Sequence, residues 1–123
     1  MKFRSLLLTL ALIATAVLVF AALALARPAK TTVTITGPNG DFSGKLFSPK
    51  RSCLANRTVV VHKLLGNGYD PANDPVIGSD ISERSGGHGE WSIGNSGFKN
   101  GRFYALAKRS TGCRRGFSPV IRP

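Results

Sequence analysis

The chain has 123 residues, 17 Lys plus Arg against 6 Asp plus Glu, and a formal net charge of +11. That length leaves room for one small domain. Its 2 cysteines lie 60 positions apart with no paired histidines, so they do not form a zinc site, and nothing in the sequence specifies a cofactor.

The first 26 residues read as an export signal. Lys2 and Arg4 supply the positive start, an apolar run extends from Leu6 to Ala26, and Ala24-Leu25-Ala26 places small residues at cleavage spacing. The mature chain is expected to begin near Arg27 and to be secreted or otherwise extracytoplasmic. The competing reading is an uncleaved signal helix that tethers the domain to the membrane, because 21 residues of helix span about 30 Å. Past this segment 97 residues remain as one domain, 27–123.

Glycine, proline, asparagine or aspartate interrupts that domain every eight to twelve residues, and the stretches between them alternate apolar with polar. In chain order the predicted strands begin with Thr31 to Thr36, with Val33 and Ile35 inward, and Asp41 to Phe47, with Phe42 and Leu46 inward and a bulge at Gly44. Arg57 to Leu65 comes next, made central by its Val59-Val60-Val61 run, then Val76 to Ile81. A Gly-rich loop, Gly86-Gly87-His88-Gly89, leads to Glu90 to Gly94 with Trp91 and Ile93. Gly101 to Lys108 follows with Phe103, Ala105 and Ala107 on one face. Gly116 to Ile121 is last, and Pro119 sends it to a sheet edge. Seven short antiparallel strands predict an all-β, two-sheet sandwich, Ig-like or transthyretin-like.

Phe42-x-Gly44, Cys53, Arg57-x-Val59-x-Val61, Gly89-Glu90-Trp91-Ser92-Ile93 and Gly101-Arg102-Phe103-Tyr104-Ala105 occur in an order that resembles the transthyretin-like, carboxypeptidase-regulatory-like β-sandwich modules of exported bacterial proteins. Ser82-Glu83 and a Gly-rich insert stand where that group usually has a Thr-Asp pair before the fifth strand. The resemblance implies an auxiliary, non-catalytic module and assigns no functional residues.

After export, Cys53 and Cys113 are expected to pair, two free thiols being the alternative. The bridge closes a loop that the chain-entropy model values at roughly 4 kcal/mol. It would also gather cations, since Lys50 and Arg51 precede one cysteine while Lys108, Arg109, Arg114 and Arg115 bracket the other. If every connection reverses direction, the loops after the second, fourth and sixth strands share one end, which adds Arg84 and His88. The opposite end receives Asp41, Asp70 and Asp74, so the domain is expected to be electrically lopsided.

Such a positive end would attract an anionic cell-surface polymer or polysaccharide, with affinity falling as salt rises. Loop charge that serves only solubility is the plain alternative. Nucleic acid is disfavoured, because no aromatic residues are interleaved with the cations and Phe117, the nearest ring, is one that strand alternation can turn inward. A membrane partner arises only if the signal helix is uncleaved. A protein partner pairing along an exposed strand edge is the second expectation.

No catalytic set is read. Gly94-Asn95-Ser96-Gly97 is a turn, and the chain cannot supply a two-barrel protease around Ser96. His62 reads as a packed or solvent-facing residue and His88 as a flexible loop residue. Asp70, Asp74 and Asp80 lack the spacing of a calcium loop and read as turn caps, so no metal is assigned. Trp91 is expected in the core, an exposed sugar-stacking platform being the sharper alternative. Asn56-Arg57-Thr58 fits a glycosylation sequon that matters only in a host that uses it.

Overall fold

Alternating apolar side chains from Val33 to Ala107 meet in one core. Val33, Ile35, Phe42, Leu46 and Trp91 come from one sheet, and Val59, Val61, Phe103, Ala105 and Ala107 from another. A computed structural model describes residues 27–123; the expected export signal, 1–26, falls outside the described residues. The strands are β1 (Thr32–Val33), β2 (Asp41–Phe47), β3 (Thr58–Lys63), β4 (Val76–Ile81), β5 (Glu83–Ser85), β6 (His88–Asn95), β7 (Phe103–Ala107) and β8 (Gly116–Phe117). They form two four-stranded antiparallel sheets, in the orders β1-β2-β6-β5 and β4-β3-β7-β8. Among the described residues no helix is long and apolar enough to cross a membrane.

The all-β, two-sheet prediction therefore holds, as do the interior place of β3 and the edge place of β8. Eight strands replace the seven expected. The extra one, β5, arises because the chain leaves the second sheet at Ile81 and joins the first at Glu83. Buried Ser82 makes the crossing: its hydroxyl donates to the Leu54 carbonyl and accepts from the Arg57 N–H. Gly86 and Gly87 then close a hairpin, so His88 and Gly89 belong to β6 and not to a loop.

Two predicted strands are shorter than expected because side chains replace backbone groups in the ladder. At position 34 the Lys45 N–H donates to the Thr34 hydroxyl at 2.8 Å, which ends β1 as a regular strand, and pairing resumes at a Thr36–Ser43 bridge. In the last strand the Ser118 hydroxyl accepts from the Ala105 N–H at 2.8 Å, and a Phe103–Ile121 bridge closes the edge. The bulge is also displaced. Phe42 pairs with Gly94 and Ser43 with Ser92, so Ile93 is the extra residue and Gly44 is regularly paired. Glycine at 44 serves close approach instead: a Cβ there would collide with the Thr34 carbonyl and lie 2.8 Å from Trp91 Cζ2.

The outer face of the second sheet is covered too. His62 and Tyr104 are buried on the side away from the main core, stacked with ring centroids 5.2 Å apart. The 64–75 segment straps over them through Asp74, whose carboxylate accepts from the Tyr104 hydroxyl at 2.6 Å, the Asp70 N–H at 3.0 Å and the Leu65 N–H at 3.2 Å. His62 Nδ1 donates to the Asp74 carbonyl. Burial pushes the Asp74 carboxyl up, but these bonds and the nearby His62 outweigh it and hold it below the usual carboxylate range. The Tyr104 hydroxyl is pushed up by burial and by Asp74.

Candidate functional site: the disulfide-linked basic end

Cys53 and Cys113 are bonded, with Cα atoms 5.6 Å apart and both residues buried. The bridge ties the short 3-10 turn Arg51–Cys53 to the loop between β7 and β8. The chain leading into β1 seals the junction, as Ala29 donates to the Gly112 carbonyl and accepts from the Arg114 N–H.

At the centre lies a residue that strand alternation marks only as the start of the third predicted strand. Arg57 is 1 % exposed, the largest fully buried side chain among the described residues. Nε and Nη2 donate to the Lys108 carbonyl at 3.2 and 2.8 Å, and Nη2 also donates to the Arg114 carbonyl at 2.8 Å. Nη1 donates to the Thr31 hydroxyl at 2.9 Å and to the Cys53 carbonyl at 3.1 Å. All five guanidinium N–H groups are thus used, each on a neutral acceptor. Burial without a carboxylate partner lowers its pKa. Arg57 fastens the two segments that the disulfide joins to the chain leading into β1.

Around this hub the predicted cations are all exposed. Lys50 packs across the bridge, its Nζ 2.6 Å from where a Cβ on Gly112 would sit. Arg109 and Arg114 line one cleft of about 650 Å³ together with Pro28, Ser110, Thr111 and Cys113. Arg51 and Lys108 lie on the same linked segments. Arg84 and Arg115 have settings of their own. Arg84 is in strand β5, opposite Gly89, and not in a loop. Arg115 lies over the Phe117 ring, 5.1 Å from its centroid, and Phe117 stacks outward on Tyr69 at 4.6 Å. Phe117 therefore does not turn into the core, contrary to that expectation. Lys30, which sequence reasoning passed over, lines an adjoining cleft with Phe47, Pro49 and Gly87.

Among the described residues the one contact between a basic side chain and a carboxylate within 4.0 Å is His88 Nε2 with Glu90 Oε1 at 3.0 Å, so no lysine or arginine is paired with a carboxylate there. That pair holds Glu90 below the usual range and places His88 in an ordered strand, correcting the flexible-loop expectation. The expected negative pole is corrected as well. Asp41, Asp70 and Asp74 do lie at the far end, but Asp74 is buried as part of the strap, and Lys63, Lys99, Arg102 and Arg122 flank the same end.

The remaining candidates resolve into structural roles. Trp91 is 3 % exposed and belongs to the core, which removes the sugar-stacking platform. Ser96 donates to the Gly40 carbonyl and Asn95 accepts from the Gly97 N–H, a turn as read. Asp80 accepts from the Ser92 N–H at 2.8 Å, far from any role with Asp74, and among the described residues no three His, Cys, Asp or Glu side chains converge on a common point. Asn56 is exposed in a left-handed turn, φ 57°, before β3. Comparison of the chain with protein-family models, with curated proteins and with solved structures gives no match.

Proposed function

We propose that this is an extracytoplasmic, non-enzymatic module that binds polyanions through the basic end around the disulfide. The observation that carries the reading is that Lys50, Arg51, Lys108, Arg109 and Arg114 are exposed on two segments joined by one covalent bridge, and none has a carboxylate partner among the described residues. Unpaired cations held at fixed spacing gain by releasing counterions from a polyanion, and that gain falls as salt rises. A buried disulfide fits an oxidising compartment. The auxiliary role implied by the transthyretin-like resemblance agrees with this reading, and an anionic cell-surface polymer is the partner class it suits.

Retention on sulfated and phosphorylated matrices tests it. The double variant Arg109→Gln/Arg114→Gln should elute at distinctly lower salt than the parent, whereas Lys99→Gln/Arg122→Gln, with the same change in net charge at the far end, should elute close to the parent. Equal loss in both would reduce the effect to net charge and reject the site. A second reading, pairing with a protein along a strand edge, draws on β4, which has a neighbour on one side only and exposes Val76 and Ile81. Self-association that persists at high salt would support it.

A further inference from the structure

The face of the first sheet that points away from the core forms a groove of about 570 Å³. Alternation along the strands sends Thr34, Ser43, Lys45, Glu90 and Ser92 outward into it, and Glu83 joins from β5. Cross-strand register sets these groups in rows: Lys45 opposite Glu90, Glu90 opposite Glu83, Ser43 opposite Ser92. Neighbours in a row are about 4.8 Å apart, the strand spacing. Asp80 and Ile81, on the strand that crosses between the sheets, make the wall. Ile81 is about half exposed and supplies an apolar surface beside the polar rows.

Several hydrogen-bonding capacities in the groove are unused by the fold. The Thr34 hydroxyl accepts from the Lys45 N–H and the Ser92 hydroxyl accepts from the Gly94 N–H, so each keeps a proton to donate. Lys45 and Glu83 form no ion pair among the described residues. Trp91 underlies the same groove, with its side chain turned into the core.

Charge narrows the ligand. Asp80, Glu83 and Glu90 against Lys45 give the groove a net negative lining that repels the polyanions suited to the basic end. Beyond the groove the domain is strongly positive, which repels small cations at long range. What remains favoured is an uncharged molecule whose groups both donate to carboxylates and accept from an ammonium, with an apolar flank for Ile81. We infer that the groove is a binding site for a neutral saccharide chain, separate from the basic end. A module with both sites would bridge two chemically different polymers.

The test uses the folded, oxidised domain with three probes: cellotriose, maltotriose and the trimer of N-acetylglucosamine. Titrations run in about 0.5 M NaCl, where screening leaves charge attraction little range. The chain's single tryptophan lies directly beneath the groove, and backbone amide shifts map the contact. At least one trisaccharide should shift Trp91 emission and the amides of Lys45, Glu90 and Ser92 saturably, with no dependence on salt. The exposed pair Lys45→Ala/Glu83→Ala should weaken that binding by about tenfold or more while leaving the fold intact. Silence from all three probes up to about 10 mM, the edge of measurable affinity, would overturn the inference. So would shifts confined to another face, or unchanged binding by the double variant. Retention on anionic matrices is a separate readout, so the two sites stand or fall independently.

Discussion

Replacing Arg57 by methionine tests what holds the basic end together. The side chain is similar in length and apolar, so the core side of the packing is largely kept, while five donated hydrogen bonds disappear. The Arg114 carbonyl still receives the Thr31 hydroxyl at 2.8 Å, but the Cys53 and Lys108 carbonyls lose their guanidinium donors. A buried acceptor left unsatisfied costs about 1–3 kcal/mol, giving a gross loss of roughly 2–6 kcal/mol. Relief from burying a charge offsets part of this, and a net loss near 3 kcal/mol is expected. For a domain of about 100 residues that lowers the melting temperature by roughly 12–24 °C. Urea unfolding followed by circular dichroism, disulfide intact, measures it. Arg57→Lys should recover only part of the loss, since an ammonium has three donors and cannot reproduce the planar fork. A methionine variant within about 0.5 kcal/mol of the parent would refute the view that this guanidinium organises the end, because changes of that size are typical of inconsequential surface sites.

Other consequences follow from the same geometry. Because Asp74 is held below its unfolded value of about 3.9, its contribution is present above that pH and is lost as pH falls through the lower folded value; Asp74→Ala should therefore flatten the acid limb of stability against pH below about 4. Tyr104 is shifted the other way, so its contribution fades as pH rises past about 10, and Tyr104→Phe should remove that alkaline slope. Replacing both cysteines by serine should cost roughly 4 kcal/mol for the loop reopened, and added salt should restore part of it by screening cations no longer held together. Gly44→Ala should cost about 1–3 kcal/mol and alter Trp91 emission, because the new methyl meets the Thr34 carbonyl and the indole ring.

What could be read in advance was whatever the local pattern encodes. Alternation placed Val33, Phe42, Leu46 and Phe103 inward, and they are buried. The expected oxidising destination implied the Cys53–Cys113 bond, and the bond is present. Strand β5 escaped because Glu83-Arg84-Ser85 carries no apolar residue; it exists only because Ser82 lets the chain cross to the other sheet. Arg57 escaped because its carbonyl partners are at Cys53, Lys108 and Arg114, two of them more than fifty positions away. One missed feature did leave a signal. Val59-Val60-Val61 and Phe103 to Ala107 are unbroken apolar runs, which mark strands covered on both faces, and Val60, His62, Tyr104 and Leu106 are indeed buried on the outer side.

The buried guanidinium also bears on the proposed attraction of polyanions to the basic end. Loop carbonyls normally face solvent, where their partial negative charge offsets nearby cations. Here the oxygens of Cys53, Lys108 and Arg114 turn inward to Arg57, and that of Leu54 turns to Ser82. The surface above is left to the side chains of Lys50, Arg51, Arg109 and Arg114 with fewer opposing dipoles, and the charge of Arg57 adds to theirs from beneath. Charge alone would spread such segments apart; the disulfide prevents it covalently and Arg57 by hydrogen bonding. The same residue that secures the fold at this end thereby raises its positive potential, so on the proposed reading stability and polyanion attraction are coupled at Arg57 and separable at Arg109 and Arg114, whose removal should change binding and leave unfolding nearly unaltered.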